Sequence, residues 1–247
     1  MTERPILFSA PMVRAILDGT KTQTRRVATG AALDWLSGPS GFNAEFVALP
    51  ENGLCPYGQP GDRLWVRETS RAHELTDKEA EADTFGVIER LGLEVPPCGL
   101  DGVVYAADNA FREIENSREA SERWMKMNAY RGMQGATVPA IHMPRWASRI
   151  TLEVTGVRVE RLQDTSEADA LAEGISRLAP PAPPHEWSGL NRFTLNGMGS
   201  GFCAGSVSWN SPTAEALYLR LWEDINGPGS WEANPWVWVV EFKWVQP

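Results

Sequence analysis

The chain has 247 residues, 43% of them hydrophobic, which is enough to bury a globular core. Its formal net charge of −9 argues against indiscriminate binding to a nucleic-acid backbone, although it permits a local cationic cleft. The three cysteines are widely spaced and form no CxxC pair, so neither a disulfide framework nor a zinc ribbon is predicted. The first residues lack the apolar stretch of a signal peptide, and no run approaches the roughly 18 apolar residues of a membrane span. We therefore expect a cytoplasmic protein with no membrane contact.

The N-terminal segment predicts a strand followed by a short amphipathic helix. Residues 5–8 (PILF) form an apolar run typical of a buried strand. Apolar side chains at i, i+3 and i+4 spacing between residues 13 and 17 share one helix face, and Gly19 is suited to end that helix. Directly after this glycine, residues 20–26 (TKTQTRR) combine hydroxyl groups with three cations and no acid. Because a helix end needs none of these groups, we predict that this segment is a functional edge.

The following part of the chain predicts a loop, a strand and an acidic surface segment. Residues 27–60 are rich in glycine, proline and small side chains without sustained periodicity, so we predict a long irregular loop. Residues 63–68 (RLWVRE) alternate with the period of a strand, and residues 103–106 are a shorter strand candidate. Residues 74–94 carry seven acids against two cations and predict an acidic surface insertion. Glu68 is a secondary candidate for a binding residue, with a plain surface position as the alternative.

Positive charge dominates residues 123–149, which contain five cations and no acid. Tryptophan, tyrosine and histidine rings are interleaved with these cations, a combination that suits single-stranded nucleic acid or a splayed base. Arg145 and Trp146 are the candidate contacts in this segment. The alternative is that Trp124 and Trp146 belong to a core and that the cations are simply solvated.

The C-terminal half predicts a long strand and a capped helix. Residues 150–159 alternate cleanly between apolar and polar side chains, which is the strongest strand pattern in the chain. Ser166 and Asp169 have the spacing of a capping pair at the start of a helix. That helix carries Glu173 and ends at Gly174.

The remaining segments complete the predicted architecture. Residues 178–212 are rich in proline, glycine and serine and predict a long loop, residues 213–225 predict a helix, and residues 235–243 predict a final strand. Strands without regularly alternating helices argue against a doubly wound parallel sheet. We therefore predict an α+β fold, in which a small, mixed, mostly antiparallel β-barrel has helices packed outside it and long loop insertions.

Five segments resemble, in order, the ASCH domains, which are small β-barrels of the PUA-like superfamily. The first resembles the family signature, in which a glycine is followed two residues later by a lysine and then by a hydroxyl or acid and an arginine. In chain order, the segments are 17–26 (LDGTKTQTRR), 61–66 (GDRLWV), 150–155 (ITLEVT), 168–175 (ADALAEGI) and 239–243 (VVEFK). This resemblance implies a single elaborated domain over residues 1–247, with insertions at about 27–60, 70–145 and 178–212. Elaborated versions of this kind resemble proteins of phages and prophages.

Within this superfamily the chain is most similar to bacterial N4-acetylcytidine amidohydrolases, which hydrolyse the amide of a modified cytosine. The resemblance places their catalytic lysine, threonine and glutamate on Lys21, Thr24 and Glu173, and it matches Arg26 to a basic residue of the same motif. It implies a modified nucleoside or single-stranded nucleic acid as the partner. We expect neither a cofactor nor a metal, and the sequence leaves the oligomeric state open.

These residue types suit amide hydrolysis, which needs an activated nucleophile, a proton donor for the leaving amine and stabilisation of an oxyanion. We hypothesise that Lys21, with a pKa lowered by burial or by Arg25 and Arg26, acts as the base on Thr24 or on a water that Thr24 orients. Glu173 would then carry the proton to the leaving nitrogen. Arg25, Arg26, Glu68, Arg145 and Trp146 are the predicted substrate or nucleic-acid contacts.

Three alternatives to catalysis remain open at this point. Lys21 and Arg26 also fit ordinary surface cations at a helix C-terminus, where positive charge favours the macrodipole, and Glu173 fits a solvated helix residue. A second alternative is a non-catalytic module that binds RNA, DNA or a modified base. A third is a phage accessory protein that binds a host partner.

Overall fold

A computed structural model describes residues 1–39, 41–74, 101–115, 117–177, 193–195 and 213–245, with the backbone alone at 176–177 and 193–195. Two compact units divide the chain. The first comprises Met1–Ile6, Pro11–Val66 and Arg149–Pro247, and the second comprises Leu7–Ala10 and Arg67–Ser148. Each unit is described separately below.

A five-stranded sheet organises the first unit. Its strands are β1 (Glu3–Leu7), β2 (Gln23–Val27), β3 (Arg63–Arg67), β7 (Thr151–Arg161) and β10 (Trp236–Val245). They lie in the order β1-β3-β7-β10-β2, so β7 and β10 are central and β2 is at one edge. β10 pairs antiparallel with both β7 and β2, and β3 pairs antiparallel with β7. Over the described residues the two end strands, β1 and β2, are not paired with each other.

Five α-helices belong to the first unit among its described residues. They are α1 (Ala10–Leu17), α2 (Ala31–Ser37), α3 (Ala44–Val47), α5 (Glu167–Ala172) and α6 (Ala214–Asn226). Short 3-10 turns cover Pro50–Asn52 and Leu162–Asp164, and a two-stranded ladder joins β8 (Ile175–Arg177) to β9 (Phe193–Leu195). The Thr213 hydroxyl caps α6 by accepting from the Ala216 N–H.

The core between α6 and the sheet follows from helical and strand periodicity. Leu217, Leu221 and Trp222 recur at helical spacing on one side of α6 and are buried. Val237 and Val239 alternate on β10 and pack into the same cluster. This layer holds α6 against the face of the sheet on which the candidate site lies.

The second unit is built around a three-stranded antiparallel sheet. Its strands are β4 (Ser70–Glu74), β5 (Asp101–Tyr105) and β6 (Phe111–Glu113), in the order β4-β5-β6. Helix α4 (Arg118–Asn128) and 3-10 turns at Tyr130–Gly132, Ala140–His142 and Arg145–Ala147 complete it. Trp124 of α4 is buried in its core with Val103 and Tyr105, and the Trp124 indole N–H donates to the Gly102 carbonyl at 2.9 Å.

The α+β class and the mostly antiparallel pairing are confirmed. The predicted irregular loop over 27–60 is wrong in its local structure, because α2, α3 and a 3-10 turn lie within it. These helices have seven and four residues, too few to show a sustained periodicity in the sequence. Most of the predicted acidic insertion at 74–94 and of the predicted loop at 178–212 lies outside the described residues. Barrel closure and the single-domain organisation stay predictions.

Candidate functional site

Strand β2 carries the cationic segment and buries half of it. Lys21 lies just before the strand and forms an isolated antiparallel bridge with Glu173. Lys21, Gln23 and Arg25 project from one face, as their contacts with α5 residues or with Glu173 show. The sequence predicted no strand here, because QTRRV has no apolar alternation. The burial of Lys21 also contradicts the alternative of an ordinary surface cation at that position, whereas Arg26 is half-buried.

The Lys21–Glu173 pair is the centre of the site. The Lys21 ammonium donates to Glu173 Oε2 at 2.6 Å and to the Glu173 carbonyl oxygen at 3.0 Å. The side chains are 0% and 4% exposed, so water screens this pair very little. Burial lowers the pKa of Lys21 from 10.5; the charge and hydrogen bond of Glu173 oppose this shift, and the charges of Arg26 and Arg25 add to it.

Local structure fixes Glu173 opposite the lysine. Ser166 and Asp169 form the predicted capping box at the start of α5, and Glu173 is the C-terminal cap of that helix. Gly174 follows with φ of +97°, a conformation that L side chains rarely adopt. A Cβ atom at Gly174 would lie 3.0 Å from that of Ala15 and 3.3 Å from that of Lys21, so glycine permits the close approach of the two chain segments.

Arg25 extends the pair into a network of buried charges. Its Nη1 lies 3.4 Å from Glu173 Oε1, and its Nη2 donates to Glu160 Oε1 at 2.6 Å. The same Nη2 lies 3.3 Å from Asp169 Oδ1. Arg158 reaches both of these acids from the other side, with Nε donating to Glu160 Oε2 at 2.9 Å and Nη2 donating to Asp169 Oδ1 at 2.6 Å. The two arginines are therefore bridged by two shared carboxylates.

Asp169 is held ionised by this arrangement. Burial alone would raise the pKa of Asp169, but hydrogen bonds from Ser166 and Gln23 and the positive charge of Arg25 lower it below its ordinary value of 3.8. The Gln23 amide donates to Asp169 Oδ1 at 3.1 Å. A carboxylate that caps a helix thus also anchors the cationic strand.

A small cavity opens beside Glu173. It has a volume of about 60 Å³ and lies between β2 and α6. The residues that border it include Arg25, Glu173 and Tyr218, and Lys21 is not among the described residues in its wall. Burial and the Glu173 carboxylate raise the pKa of Tyr218 well above 10.0, so its hydroxyl keeps its proton and can donate. Of the pair, Glu173 and not Lys21 therefore borders the space that a ligand would enter.

Thr24 and Arg26 alternate with the residues that contact Glu173. They also border the cavity, but strand alternation directs their side chains to the opposite face of β2. Thr24 is 3% exposed and opposes Val240 of β10. The structure thus brings Lys21 and Glu173 together, and it does not bring the Thr24 side chain to their face.

The other predicted contacts belong to the second unit. Glu68 is 1% exposed, which contradicts a plain surface position for it, and its backbone N–H lies 3.2 Å from Met143 Sδ. Arg145 is exposed at the start of a 3-10 turn, while Trp146 is half-buried and packs against the core cluster of that unit. The core interpretation is confirmed for Trp124, which is 4% exposed.

Several charged partners of the site were missed at the sequence level. Arg158 was treated only as a polar position of a strand and Asp169 only as a capping residue, and Glu160 lies one residue beyond the predicted strand. Their i, i+2 spacing could have placed Arg158 and Glu160 on one face of β7. Nothing local could have shown that this face meets Arg25, which is 135 residues away from Glu160 in the chain. Tyr218 was likewise indistinguishable from an ordinary core residue of its helix.

Within the described part of the chain, no group of three or more histidine, cysteine, aspartate or glutamate side chains is placed to hold a metal ion. In the same residues, none of the helices combines the length and the apolar character needed to cross a bilayer.

Fold and site together define an α+β protein with a buried lysine–glutamate pair beside a small cavity. Comparison with known proteins adds no family to this description, because no family model, curated protein or solved structure matches the chain. The function must therefore be argued from the residues of the site.

Proposed function

We propose that the protein is an amidohydrolase that removes an acyl group from N4 of a modified cytidine, in an elaborated ASCH domain of PUA-like barrel type. The observation that carries the proposal is the position of Glu173. Glu173 borders a cavity, and its carboxylate is held by Lys21 at 2.6 Å and by Arg25 at 3.4 Å. A carboxylate positioned in this way is suited to accept and return a proton during hydrolysis.

The proposed reaction assigns each proton and bond. Glu173 takes a proton from a water molecule, whose oxygen attacks the acyl carbon and forms a tetrahedral intermediate. The Tyr218 hydroxyl donates a hydrogen bond to the resulting oxyanion, and the charge of Arg25 stabilises it further. Glu173 then returns the proton to the leaving nitrogen as the C–N bond breaks, which yields a carboxylic acid and cytidine. Lys21 is a positioning residue in this scheme, and Thr24 has no step.

The cavity volume limits how the substrate binds. Its 60 Å³ corresponds to the share of about two water molecules, whereas pockets for whole drug-sized ligands measure about 300–1,000 Å³. In the proposed complex the cavity therefore takes the methyl end of the acetyl group together with the attacking water, and the base stays at its mouth. Larger acyl groups should be hydrolysed more slowly than acetyl.

The direct test is turnover of N4-acetylcytidine by the purified protein, followed by the change in absorbance as cytidine forms. Glu173→Gln should reduce kcat/KM by about 10²–10⁴, the usual contribution of a general base. Lys21→Met should reduce kcat and alter its pH profile, while Thr24→Val should stay within tenfold of wild type. Lys243→Met, which removes an exposed cation, is the matched control.

The outcomes separate this proposal from the sequence-level alternatives. Turnover that survives in Glu173→Gln would remove the proposed base, and loss of turnover in Thr24→Val would restore a threonine nucleophile. No turnover combined with oligonucleotide binding of steep salt dependence would favour a nucleic-acid-binding module. In the second unit, Trp124 is buried and Arg123 pairs with Glu119 on α4, so these residues do not favour the binding module.

A further inference from the structure

The first unit contains a second and larger depression, and Glu173 is not one of the residues that line it. It is a cleft of about 580 Å³, within the range of about 300–1,000 Å³ that small-molecule sites occupy. One wall is formed by residues between 45 and 62, and the other by residues 156–158 of β7. Among the described residues that border it, Lys21, Arg25 and Glu173 are absent. The cleft is therefore ligand-sized and distinct from the proposed hydrolytic site.

A fixed cation borders the cleft. The Arg4 Nη1 donates to the Pro56 carbonyl at 3.0 Å and lies 3.4 Å from the Cys55 carbonyl. Among the described residues, these two neutral oxygens are the hydrogen-bond partners of Arg4. The guanidinium is thus held in place by backbone groups, while its Nε and Nη2 donate to no described residue and remain available to a ligand.

The carboxylate of Asp62 does not neutralise Arg4 by a direct ion pair. Asp62 also borders the cleft, and its pKa is lowered below 3.8 chiefly by a hydrogen bond from the Thr2 N–H. The charge of Arg4 makes a smaller contribution to this lowering. Asp62 Oδ1 accepts from Thr2 at 2.7 Å, and its Oδ2 accepts from the Gln59 N–H at 3.3 Å. Both oxygens of Asp62 accept from the backbone, and within the described residues Asp62 forms no direct ion pair with Arg4.

Arg158, the second arginine that borders the cleft, is already bound to carboxylates. Arg158 donates from Nε to Glu160, from Nη2 to Asp169 and from Nη1 to Glu241. All three of its nitrogens therefore have carboxylate partners, and it offers the cleft mainly its aliphatic stem. An anion entering the cleft would find its charged contact at Arg4.

The rest of the wall is mixed. Leu54 and Val157 are half-buried and border the cleft from its two sides, with proline, alanine and leucine side chains beside them. Thr2, Gln59 and the exposed Glu45 border it as well. We propose that this cleft binds a small organic anion, whose acidic group pairs with Arg4 and whose apolar body packs between Leu54 and Val157. This site is separate from the proposed hydrolase function and does not depend on it.

The test compares two probes that differ in charge but hardly in shape, 4-(trifluoromethyl)benzoate and its neutral amide, titrated by fluorine NMR. Wild type should bind the benzoate with a Kd on the order of 1 mM, and the amide at least about fivefold more weakly. Arg4→Met should remove this preference, whereas Arg118→Met, at a side chain that is 93% exposed, should retain it. Val157→Trp should abolish binding by filling the cleft, and Leu33→Trp, at an exposed position of α2, should not.

A second measurement tests binding in the cleft without the Arg4 and Val157 variants, in case one of them fails to fold. Cys55 borders the cleft, so saturating benzoate should slow its alkylation at least about threefold in a protein whose other two cysteines are serine. Equal affinity for benzoate and amide, or unchanged Cys55 alkylation, overturns the proposal. Benzoate binding should be the same in Glu173→Gln as in wild type, so a failure of the hydrolase proposal and a failure of this one can be told apart.

Discussion

The coupling between Lys21 and Glu173 can be measured as a free energy of unfolding. Removing one member of a buried ion pair typically costs about 3–5 kcal/mol, because the other charge is left without compensation. Glu173 keeps Arg25 at 3.4 Å when the lysine is lost, so Lys21→Met should cost about 3 kcal/mol, at the lower end of that range. In Glu173→Gln, the ammonium loses its carboxylate partner while its bond to the backbone carbonyl at 3.0 Å remains, and a similar or larger loss of stability is expected.

The double variant reveals the interaction itself. Lys21→Met/Glu173→Gln leaves neither charge of the pair behind, so its cost should be smaller than the sum of the two single costs by about 2 kcal/mol. Urea unfolding followed by tryptophan fluorescence supplies all three values, since the chain has eleven tryptophans.

The chain offers a matched control for this cycle. Lys243 and Glu153 form an ion pair of the same chemical type at 2.9 Å, but their side chains are 61% and 34% exposed. Solvent screening should keep the coupling of this exposed pair below about 1 kcal/mol. If the two cycles give equal coupling energies, burial does not strengthen the Lys21–Glu173 interaction and the reasoning is refuted.

Three further predictions concern single groups. Asp169 has a folded pKa below 3.8, so its ionised form stabilises the protein above that pH, and this effect is lost as the pH falls. From pH 5 to pH 3, the free energy of unfolding in urea should fall by about 1 kcal/mol more in wild type than in Asp169→Asn. Burial raises the pKa of Cys55 to about 11, so its alkylation rate should rise about tenfold per pH unit from pH 8 to pH 10, and a plateau near pH 9 would contradict this. Gly174→Ala should destabilise the protein by about 1–3 kcal/mol by thermal unfolding, and by more than Gly19→Ala, where the added methyl group meets nothing within 4 Å.

The elements that could be predicted are those with local signals. The alternation of residues 150–159 and the Ser166–Asp169 capping pair each depend on neighbours within one strand or one helical turn. Both predictions are confirmed by β7 and α5. The helix predicted at 213–225 is confirmed for the same reason, because Leu217 and Leu221 recur at helical spacing.

Strand β2 shows why other parts could not be predicted. Its buried Gln23 and Arg25 are polar, and Asp169, Glu160 and Glu173 supply them with opposite charges or acceptors. Gln23 and Asp169 are separated by 146 residues, and β2 takes its place in the sheet by pairing with β10. A sequence pattern indicates which side chains of one element face solvent. It does not show the distant partner that offsets the cost of burying a charge.

Stability alone does not explain a lysine and a glutamate at these positions. Replacing a buried ion pair with apolar side chains of similar volume is often neutral or stabilising, because the desolvation of both charges is avoided. Lys21→Met/Glu173→Leu should therefore unfold within about 1 kcal/mol of wild type and yet lack turnover of N4-acetylcytidine. Arg25 keeps Glu160 and Asp169 in this variant, so the rest of the network should persist. A large loss of stability would instead show that the pair is needed for folding. Retained turnover would show that the pair has no role in catalysis.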